Sequence, residues 1–163
     1  GSMYSLCRAK ELVDGPFLLL ESDLIYERRA LTSLLRSELP SAVLLSGFTG
    51  SGDEVYVETQ GQTIKAVSKN KNDLKKIEGE LVGISKISPE LFDRMIQFAD
   101  ANFQQDPRLD YEECFAAVSG DTDVFYLKVD DLVWSEIDDE HHLNRAKIKI
   151  FPAIQEKDNS HDS

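Results

Sequence analysis

The sequence predicts an α/β sandwich with a mixed sheet in a single domain. Its 163 residues are enough for one domain with a real hydrophobic core. Apolar runs of strand length alternate along the chain with segments whose apolar residues recur at helical spacing, and this alternation is typical of interleaved helices and strands. Two of the runs, 17–23 and 41–48, are apolar without alternation, which predicts strands buried on both faces.

Five segments show the spacing and the end signals of helices. In the first segment the helical spacing of apolar residues ends at Gly15 and Pro16, which are strong helix stops. Before the third segment, Ser88 precedes Pro89, which is the preferred order of an N-cap and a first helical residue. We predict helices over 4–13, 27–38, 89–104, 109–120 and 139–150.

The other apolar segments predict strands. Residues 55–69 alternate apolar and polar side chains around a Gln-Gly turn, which indicates a β-hairpin. Residues 132–137 continue the strand before them as extended chain, whereas 49–54 and 70–79 are polar and predict loops. We predict single strands over 17–23, 41–48, 80–88 and 123–131.

The composition excludes several classes of partner. The net charge is −12, from 30 acidic and 18 basic residues, and such a surface repels nucleic acids and anionic membranes. Cys7 and Cys114 are far apart in the sequence and form no CxxC motif, so we expect reduced thiols. With neither a long apolar run nor a signal peptide in the sequence, a cytoplasmic location is predicted.

The two ends of the sequence set the predicted domain limits. Residues 1–3, Gly-Ser-Met, resemble the remnant of a cleaved expression tag. Residues 153–163 are polar and predict a frayed tail. The predicted domain therefore spans residues 4–152.

Carboxylates follow two of the predicted extended segments. Asp23 ends the first apolar run, and Glu136 and Asp138 lie in the stretch VWSEIDDEHHL at 133–143. Because side chains alternate along extended chain, Glu136 and Asp138 share one face. Strand ends are where α/β sheets bind ligands, and Mg²⁺ prefers carboxylate oxygens. If the two strand ends converge, these three residues suit a magnesium site.

An alternative interpretation of the same stretch needs no metal. Acidic residues are common in turns, and Asp139 and Glu140 suit the N-cap and first turn of the following helix. His141 and His142 are adjacent and point to different sides of that helix, which favours a solvated helix start over a zinc site. The residues themselves leave both interpretations open.

Successive segments of the chain resemble one protein family. The segments, in order, are GPFLLLESDLIYERRAL, GQTIKAVSK, GELVGISKISPELFDRM, YEECF and VWSEIDDEHHLNRAK. They are similar to the small bacterial nucleotidyltransferases that activate phosphocholine or 2-aminoethylphosphonate with CTP, which are relatives of the sugar-phosphate nucleotidyltransferases. The resemblance covers residues 4–150, and ESD, GELVGISK and EID are its most specific parts.

The resemblance implies a fold, a reaction and a set of functional residues. The fold is an α/β/α sandwich, the second part of a nucleotide-diphospho-sugar transferase-like fold. The reaction is a Mg²⁺-dependent transfer of CMP from CTP to a small phosphate or phosphonate, with release of pyrophosphate. Asp23 and Asp138 would be catalytic and would bind the metal together with Glu136, and Trp134 would pack behind them. Acceptor-binding roles are implied for Lys69, Glu80, Gly83, Tyr111 and Glu112.

The sequence departs from the family in one respect. The family begins with a strand and a Gly-rich loop of the form LAAGxGxRL, whose backbone amides hold the nucleotide triphosphate. These 163 residues contain no such motif. We therefore expect the C-terminal part of a nucleotidyltransferase, inactive by itself. The alternatives are a non-catalytic binding or assembly module with half of the fold, and an enzyme that acts on a sugar phosphate.

The same departure predicts an association. A run that is apolar on both faces, such as 17–23, is expected inside a sheet, and in the family another strand pairs beside it. Without that neighbour, its N–H and C=O groups form an open edge that favours pairing with another chain. We expect a homodimer or swapped oligomer built around residues 4–23; the alternative is that the helix predicted over 4–13 folds over the open edge.

Overall fold

The computed structural model describes residues 1–52 and 54–160, and it confirms the predicted α/β fold with a mixed sheet. The strands are β1 (Phe17–Leu20), β2 (Leu24–Tyr26), β3 (Ala42–Ser46), β4 (Tyr56–Gln60), β5 (Thr63–Ser68), β6 (Ile77–Ile87), β7 (Phe125–Val129) and β8 (Trp134–Glu136). The α-helices are α1 (Ser2–Arg8), α2 (Arg29–Arg36), α3 (Pro89–Asn102), α4 (Tyr111–Val118), α5 (Glu140–Arg145) and α6 (Phe151–Ser160). Short 3₁₀ turns cover Lys10–Leu12 and Lys71–Asp73, and a π-helix covers Ala146–Ile150.

Six strands form the main sheet in the order β1-β6-β3-β7-β5-β4, and β2 pairs with β8 in a separate ribbon. Only β3 and β7 are parallel, and the other pairs among the described strands are antiparallel. The long strand β6 pairs with β3 along one edge and with both β1 and β4 along the other. β1 and β4 therefore lie end to end beside β6.

Two hydrophobic cores lie on opposite faces of the main sheet. One forms against α1, α3 and α4 and contains Met95 and Phe115. The other forms against α2 and β8 and contains Leu34 and Trp134. All five residues of β3 are buried, which confirms the prediction that 41–48 is a strand covered on both faces.

Helix starts follow the local signals in the sequence. The Ser88 hydroxyl accepts the Leu91 N–H at 3.2 Å, and Pro89 occupies the first position of α3, as predicted. Asp110 and Glu113 form a capping box at the start of α4. These bonds satisfy N–H groups that have no partner within the helix.

β1 is an edge strand that ends at Leu20, and the prediction that the run 17–23 is buried on both faces is confirmed only in part, because both faces of β1 contact a core but their burial is incomplete. Its residues are half-buried or exposed, and among the described residues its only strand partner is β6. Phe17 and Leu19 pack against one core and Leu18 against the other. The side chains of this run are apolar because both faces of the sheet are covered at β1. Side-chain polarity does not indicate whether another strand pairs with the backbone at the edge. The position of β1 at the end of the strand order agrees with the expectation that the run 17–23 lacks a second strand neighbour. The homodimer through residues 4–23 stays a prediction.

The C-terminal region is a longer helix than the sequence indicated. The helix predicted over 139–150 continues through the π-helix into α6, so the frayed tail predicted at 153–163 is wrong for the residues up to 160. Ala146, Ile150 and Ile154 are buried at a spacing of four and hold this helix against the protein. Pro152 cannot donate a helical hydrogen bond, and the wider π turn directly before it accommodates that loss. Asp53 and residues 161–163 lie outside the described residues.

The N-terminal limit of the predicted domain also differs from the structure. α1 begins at Ser2, and Met3 is fully buried in the core. Residues 1–3, predicted to lie outside the domain, are therefore packed as part of it. In the described residues, no helix is both long and apolar enough to span a bilayer.

Candidate functional site

The ribbon of β2 and β8 brings the predicted metal ligands together. The two strands are antiparallel, and Leu24 is opposite Glu136. Beyond that pair, the Ile137 N–H donates a hydrogen bond to the Asp23 carbonyl at 2.8 Å. Asp23 at the start of one strand is thus placed beside Asp138 at the end of the other.

These residues line a cavity of about 450 Å³ on the protein surface. Its walls contain six of the predicted site residues: Asp23, Lys69, Gly83, Glu112, Glu136 and Asp138. The other lining residues are Ser2, Glu21, Val55, Leu81 and Asp110. A neighbouring space of about 360 Å³ shares Val55, Lys69, Asp110 and Glu112 with the first, so the two are continuous around Lys69 and Glu112.

The cavity is strongly acidic. Six of its lining residues are carboxylates and only Lys69 carries a positive charge. The pKa of Glu112 is raised to about 7, mainly by burial; nearby Glu21 and Asp110 contribute to the rise and Lys69 opposes it. The Oε2 atom of Glu112 is buried and has no hydrogen-bond partner among residues 1–52 and 54–160. A cavity of this charge suits a cation or a ligand with a cationic group.

Tyr111 reaches the cavity through Glu21. The side chain is 3% exposed, and its hydroxyl donates a hydrogen bond to Glu21 Oε1. Burial raises the pKa of Tyr111, and the Glu21 charge adds to that rise. Burial likewise raises the pKa of Glu21, although the bond from Tyr111 partly offsets it. Tyr111 therefore acts in this structure as a fixed donor that holds Glu21 at the cavity wall.

Gly83 is required by backbone geometry and by the close approach of Glu21. It has φ +77°, and a Cβ at this position would lie 2.3 Å from Glu21 Oε2. The Glu21 N–H also donates to the Gly83 carbonyl at 3.0 Å. A side chain here is disfavoured on both grounds, because L residues rarely adopt this φ and the Glu21 carboxylate would have to move.

Replacing Gly83 by alanine is expected to lower the free energy of unfolding by about 2 kcal/mol and to displace Glu21. Alanine variants of two other glycines separate the effect of the positive φ from that of the contact with Glu21. Urea denaturation measures the free energy of unfolding of all three variants. Gly15→Ala meets no atom within 4 Å but has φ +98°, whereas Gly120→Ala has neither problem. The expected order of destabilisation is Gly83, then Gly15, then Gly120, and an equal effect at Gly83 and Gly15 would show that the contact with Glu21 is unimportant.

Glu80 lies apart from the cavity. It is 1% exposed, and its Oε2 accepts the Thr49 N–H at 2.9 Å. Leu81 and Gly83 line the cavity, so Glu80 belongs to the opposite face of β6 by the alternation of side chains. Trp134 is buried on that opposite face, where its Nε1–H donates to Ser46 Oγ at 2.8 Å.

The carboxylates of the cavity have the donor chemistry for Mg²⁺ but do not form a complete protein cage. Among the described residues, no group of three or more His, Cys, Asp or Glu side chains is placed to hold a metal ion. Asp138 Oδ2 lies 3.5 Å from His142 Nδ1. Mg²⁺ is commonly held by one or two carboxylates together with substrate phosphates, and an open acidic wall fits that mode.

Three polar lining residues were missed by the sequence-based assignment: Ser2, Glu21 and Asp110. A signal for Glu21 is present in the sequence, because it precedes Asp23 by two positions in a run predicted to be extended, where such residues share a face. In the structure a turn at residues 22 and 23 separates them. Asp110 lies within the helix predicted over 109–120, and the structure shows that it is the N-cap of α4. Ser2 lies in the segment that resembles a tag remnant, and no local pattern distinguishes it.

Comparison with known proteins supports the fold. No protein-family model matches the sequence. The inositol-1-phosphate CTP transferase from T. maritima superposes with a TM-score of 0.74 at 17% identity, covering 96% of this chain and 63% of that one. A candidate glucose-1-phosphate thymidylyltransferase from Bacillus anthracis, solved in complex with a sucrose, superposes with a TM-score of 0.68 at 15% identity. That match covers 90% of this chain and 59% of the other. The chain thus has a nucleotidyltransferase-like fold and spans less than two thirds of either structure.

Proposed function

We propose that these residues form the metal and acceptor half of a nucleotidyltransferase that transfers CMP from CTP to phosphocholine or 2-aminoethylphosphonate. The observation that carries this proposal is the convergence of Asp23, Asp138 and Lys69 on one cavity. In the proposed reaction, an acceptor phosphate oxygen attacks the α-phosphorus of CTP. A new bond forms between that oxygen and the α-phosphorus. The bond from the α-phosphorus to the oxygen that bridges it to the β-phosphorus breaks, and pyrophosphate leaves.

The chain's own residues position the acceptor for that attack. Asp23, Glu136 and Asp138 would hold Mg²⁺, which when bound neutralises phosphate charge and orients the reacting groups. Lys69 would bind the phosphate or phosphonate of the acceptor as a point charge. Holding the acceptor in a fixed orientation lowers the entropy cost of the bimolecular step.

The charge of the cavity favours an acceptor with an ammonium group over a sugar phosphate, which has no cationic group. Glu21 and Glu112 lie on the wall formed by Gly83 and α4, and both are partly buried. A buried carboxylate gains most from a ligand cation in direct contact. A sugar phosphate is the second candidate, because the names of the two structural neighbours include inositol 1-phosphate and glucose 1-phosphate.

Isothermal titration calorimetry with Mg²⁺ present tests the proposal. We expect phosphocholine or 2-aminoethylphosphonate to bind at least about tenfold more tightly than inositol 1-phosphate, since one charged contact is worth about that factor. Lys69→Met is expected to weaken binding about tenfold. Lys76→Met is the matched control, because Lys76 is 80% exposed and does not line the cavity.

Two other outcomes of the titration are informative. Tighter binding of inositol 1-phosphate would move the acceptor class to sugar phosphates. No binding of any of the three compounds would contradict the acceptor site and favour a non-catalytic assembly module. From these residues alone we expect acceptor binding without turnover of CTP, because they contain no Gly-rich triphosphate loop.

A further inference from the structure

Lys69 lies between two points at which the chain is attached to the sheet. Before it, Ser68 is the last residue of β5 and pairs with Tyr56 of the neighbouring strand β4. After it, Lys71 begins a short 3₁₀ turn, and its ammonium lies 4.6 Å from the centroid of the Tyr56 ring. Lys69 and Asn70 alone separate these two points in the sequence, so the backbone that carries the Lys69 side chain has little freedom.

The ammonium of Lys71 contacts two aromatic rings. Its Nζ atom lies 5.3 Å from the centroid of the Phe48 ring as well as 4.6 Å from that of Tyr56, and the two centroids are 6.3 Å apart. Both distances are within the range of about 6 Å over which the face of an aromatic ring attracts a cation. Lys71 is exposed whereas Tyr56 is buried, so the contact attaches a surface turn to the body of the protein.

Both rings are themselves held in place. Tyr56 belongs to β4 and pairs with β5 on one side and with β6 on the other. Phe48 directly precedes Thr49, whose N–H donates to the buried carboxylate of Glu80 at 2.9 Å. The contact of Lys71 with the rings therefore joins the turn after β5 to the loop after β3, and both partners are fixed on the sheet.

The place of Lys69 matters because of the charge of the cavity. Lys69 is the one positively charged residue among those that line the cavity, and it lines the neighbouring space as well. Val55 lines the same two spaces and directly precedes Tyr56. The ring that holds Lys71 thus lies one residue from the wall to which Lys69 belongs.

We propose that Lys71 is a positioning residue of the candidate site, whose contact with the two rings fixes the turn that presents Lys69 to the cavity. The proposal rests on the proposed function only in treating Lys69 as the group that binds the acceptor's phosphate or phosphonate. Side-chain hydrogen bonds within residues 68–73 fix the shape of this turn. The contact of Lys71 with the rings fixes where the turn lies on the sheet.

Three variants and a control test the proposal. Lys71→Met removes the cation, whereas Phe48→Leu removes one ring at a residue that is 64% exposed and changes no charge. Lys71→Arg keeps a cation that binds to aromatic rings. Lys76→Met is the matched control, because Lys76 is 80% exposed and does not line the cavity.

The first readout is the titration of the Glu112 carboxyl, followed by ¹³C NMR without ligand. In the wild type its midpoint is expected at about 7, and the charged groups that act on it are Glu21, Asp110 and Lys69. Of these three, only the lysine lowers the pKa of Glu112. If the lysine moves away from the cavity, the midpoint rises.

We expect the Glu112 midpoint to rise in Lys71→Met and in Phe48→Leu, and to keep its wild-type value in Lys71→Arg and Lys76→Met. Phe48→Leu removes no charge, so a rise in that variant reports a movement of Lys69. In a Lys69→Met background, Lys71→Met is expected to change the midpoint no further, because its effect passes through Lys69.

The second readout is the dissociation constant for phosphocholine and 2-aminoethylphosphonate with Mg²⁺. We expect Lys71→Met to weaken binding about fivefold and Phe48→Leu about threefold, since exposed contacts between a cation and a ring are worth about these factors. Lys71→Arg is expected to bind within about twofold of the wild type. Lys76→Met is expected to bind as the wild type does.

The two readouts separate failure of the inference from failure of the proposed function. If the wild type binds neither compound but the Glu112 midpoint rises in Lys71→Met and Phe48→Leu, the proposed function fails and the positioning role stands. An unchanged midpoint in these two variants would overturn the inference. A rise in Lys71→Met that persists in the Lys69→Met background would also overturn it, because Lys71 would then act on Glu112 directly.

Discussion

Replacing Asp23 or Asp138 by asparagine is expected to weaken the binding of Mn²⁺, used as a probe for Mg²⁺, by about 100-fold or more. Each change removes the charge of a proposed ligand from the cavity wall that the β2–β8 ribbon helps to form. Electron paramagnetic resonance of free Mn²⁺, with phosphocholine or 2-aminoethylphosphonate present, measures the loss. The acceptor is included because few protein ligands converge and its phosphate or phosphonate would complete the site.

The same two variants are expected to melt at a higher temperature than the wild type in the absence of metal. Six carboxylates line one cavity, so removing one negative charge relieves repulsion. Asp121→Asn is the control, since it makes the same change at an exposed position that does not line the cavity. Equal Mn²⁺ affinity in Asp23→Asn and Asp121→Asn would contradict the metal site, whatever the melting temperatures.

Replacing Arg29 by methionine is expected to lower the free energy of unfolding by about 3 kcal/mol. Arg29 Nε donates to Glu27 Oε1 at 2.8 Å, and Glu27 is completely buried. Without the guanidinium, the Glu27 carboxylate would be left buried without its partner. Arg29 also contacts Asp131 at 3.0 Å, and Lys157 and Arg29 together hold the pKa of Asp131 below its usual range.

A double variant separates the cost of an unpaired carboxylate from the loss of packing. Glu27→Gln combined with Arg29→Met is expected to be more stable than Arg29→Met alone, because the buried charge is removed with its partner. Arg36→Met, at the exposed end of the same helix, is the control for the methionine. Urea denaturation measures the free energy of unfolding of the three variants. A double variant as unstable as Arg29→Met would mean that the loss of packing by Arg29 costs more than the unpaired Glu27 carboxylate.

The ion pair between Arg29 and Glu27 is linked to the candidate site by the β2–β8 ribbon. The Glu27 N–H donates to the Val133 carbonyl at 3.0 Å, at the end of β2 opposite Asp23. The ribbon is thus fastened at both ends, by Glu27 to Val133 and by Asp23 to Ile137. We expect Arg29→Met to weaken Mn²⁺ binding as well, by less than either aspartate change.

Elements with a strong local signal were predicted well. β3 is a continuous apolar run with turn residues on both sides, and α3 has a serine cap, a proline and a regular apolar stripe. In each case the residues that stabilise the element are neighbours in sequence. β2 was missed because Leu24–Tyr26 is only three residues long, and its pairing partner lies near the other end of the chain.

The sequence by itself determined the fold class, the acidic character and the residue types that could bind a cation. It also determined most helix starts, because caps and apolar periodicity are local properties. Only the tertiary structure decided that β1 lies at an edge and that Glu80 faces away from the cavity. It also decided that Asp23 and Asp138 line the same cavity. The physical reason is that strand pairing joins segments far apart in the chain. Such contacts depend on backbone hydrogen bonds that any residue except proline can donate, so they leave no pattern in the local sequence.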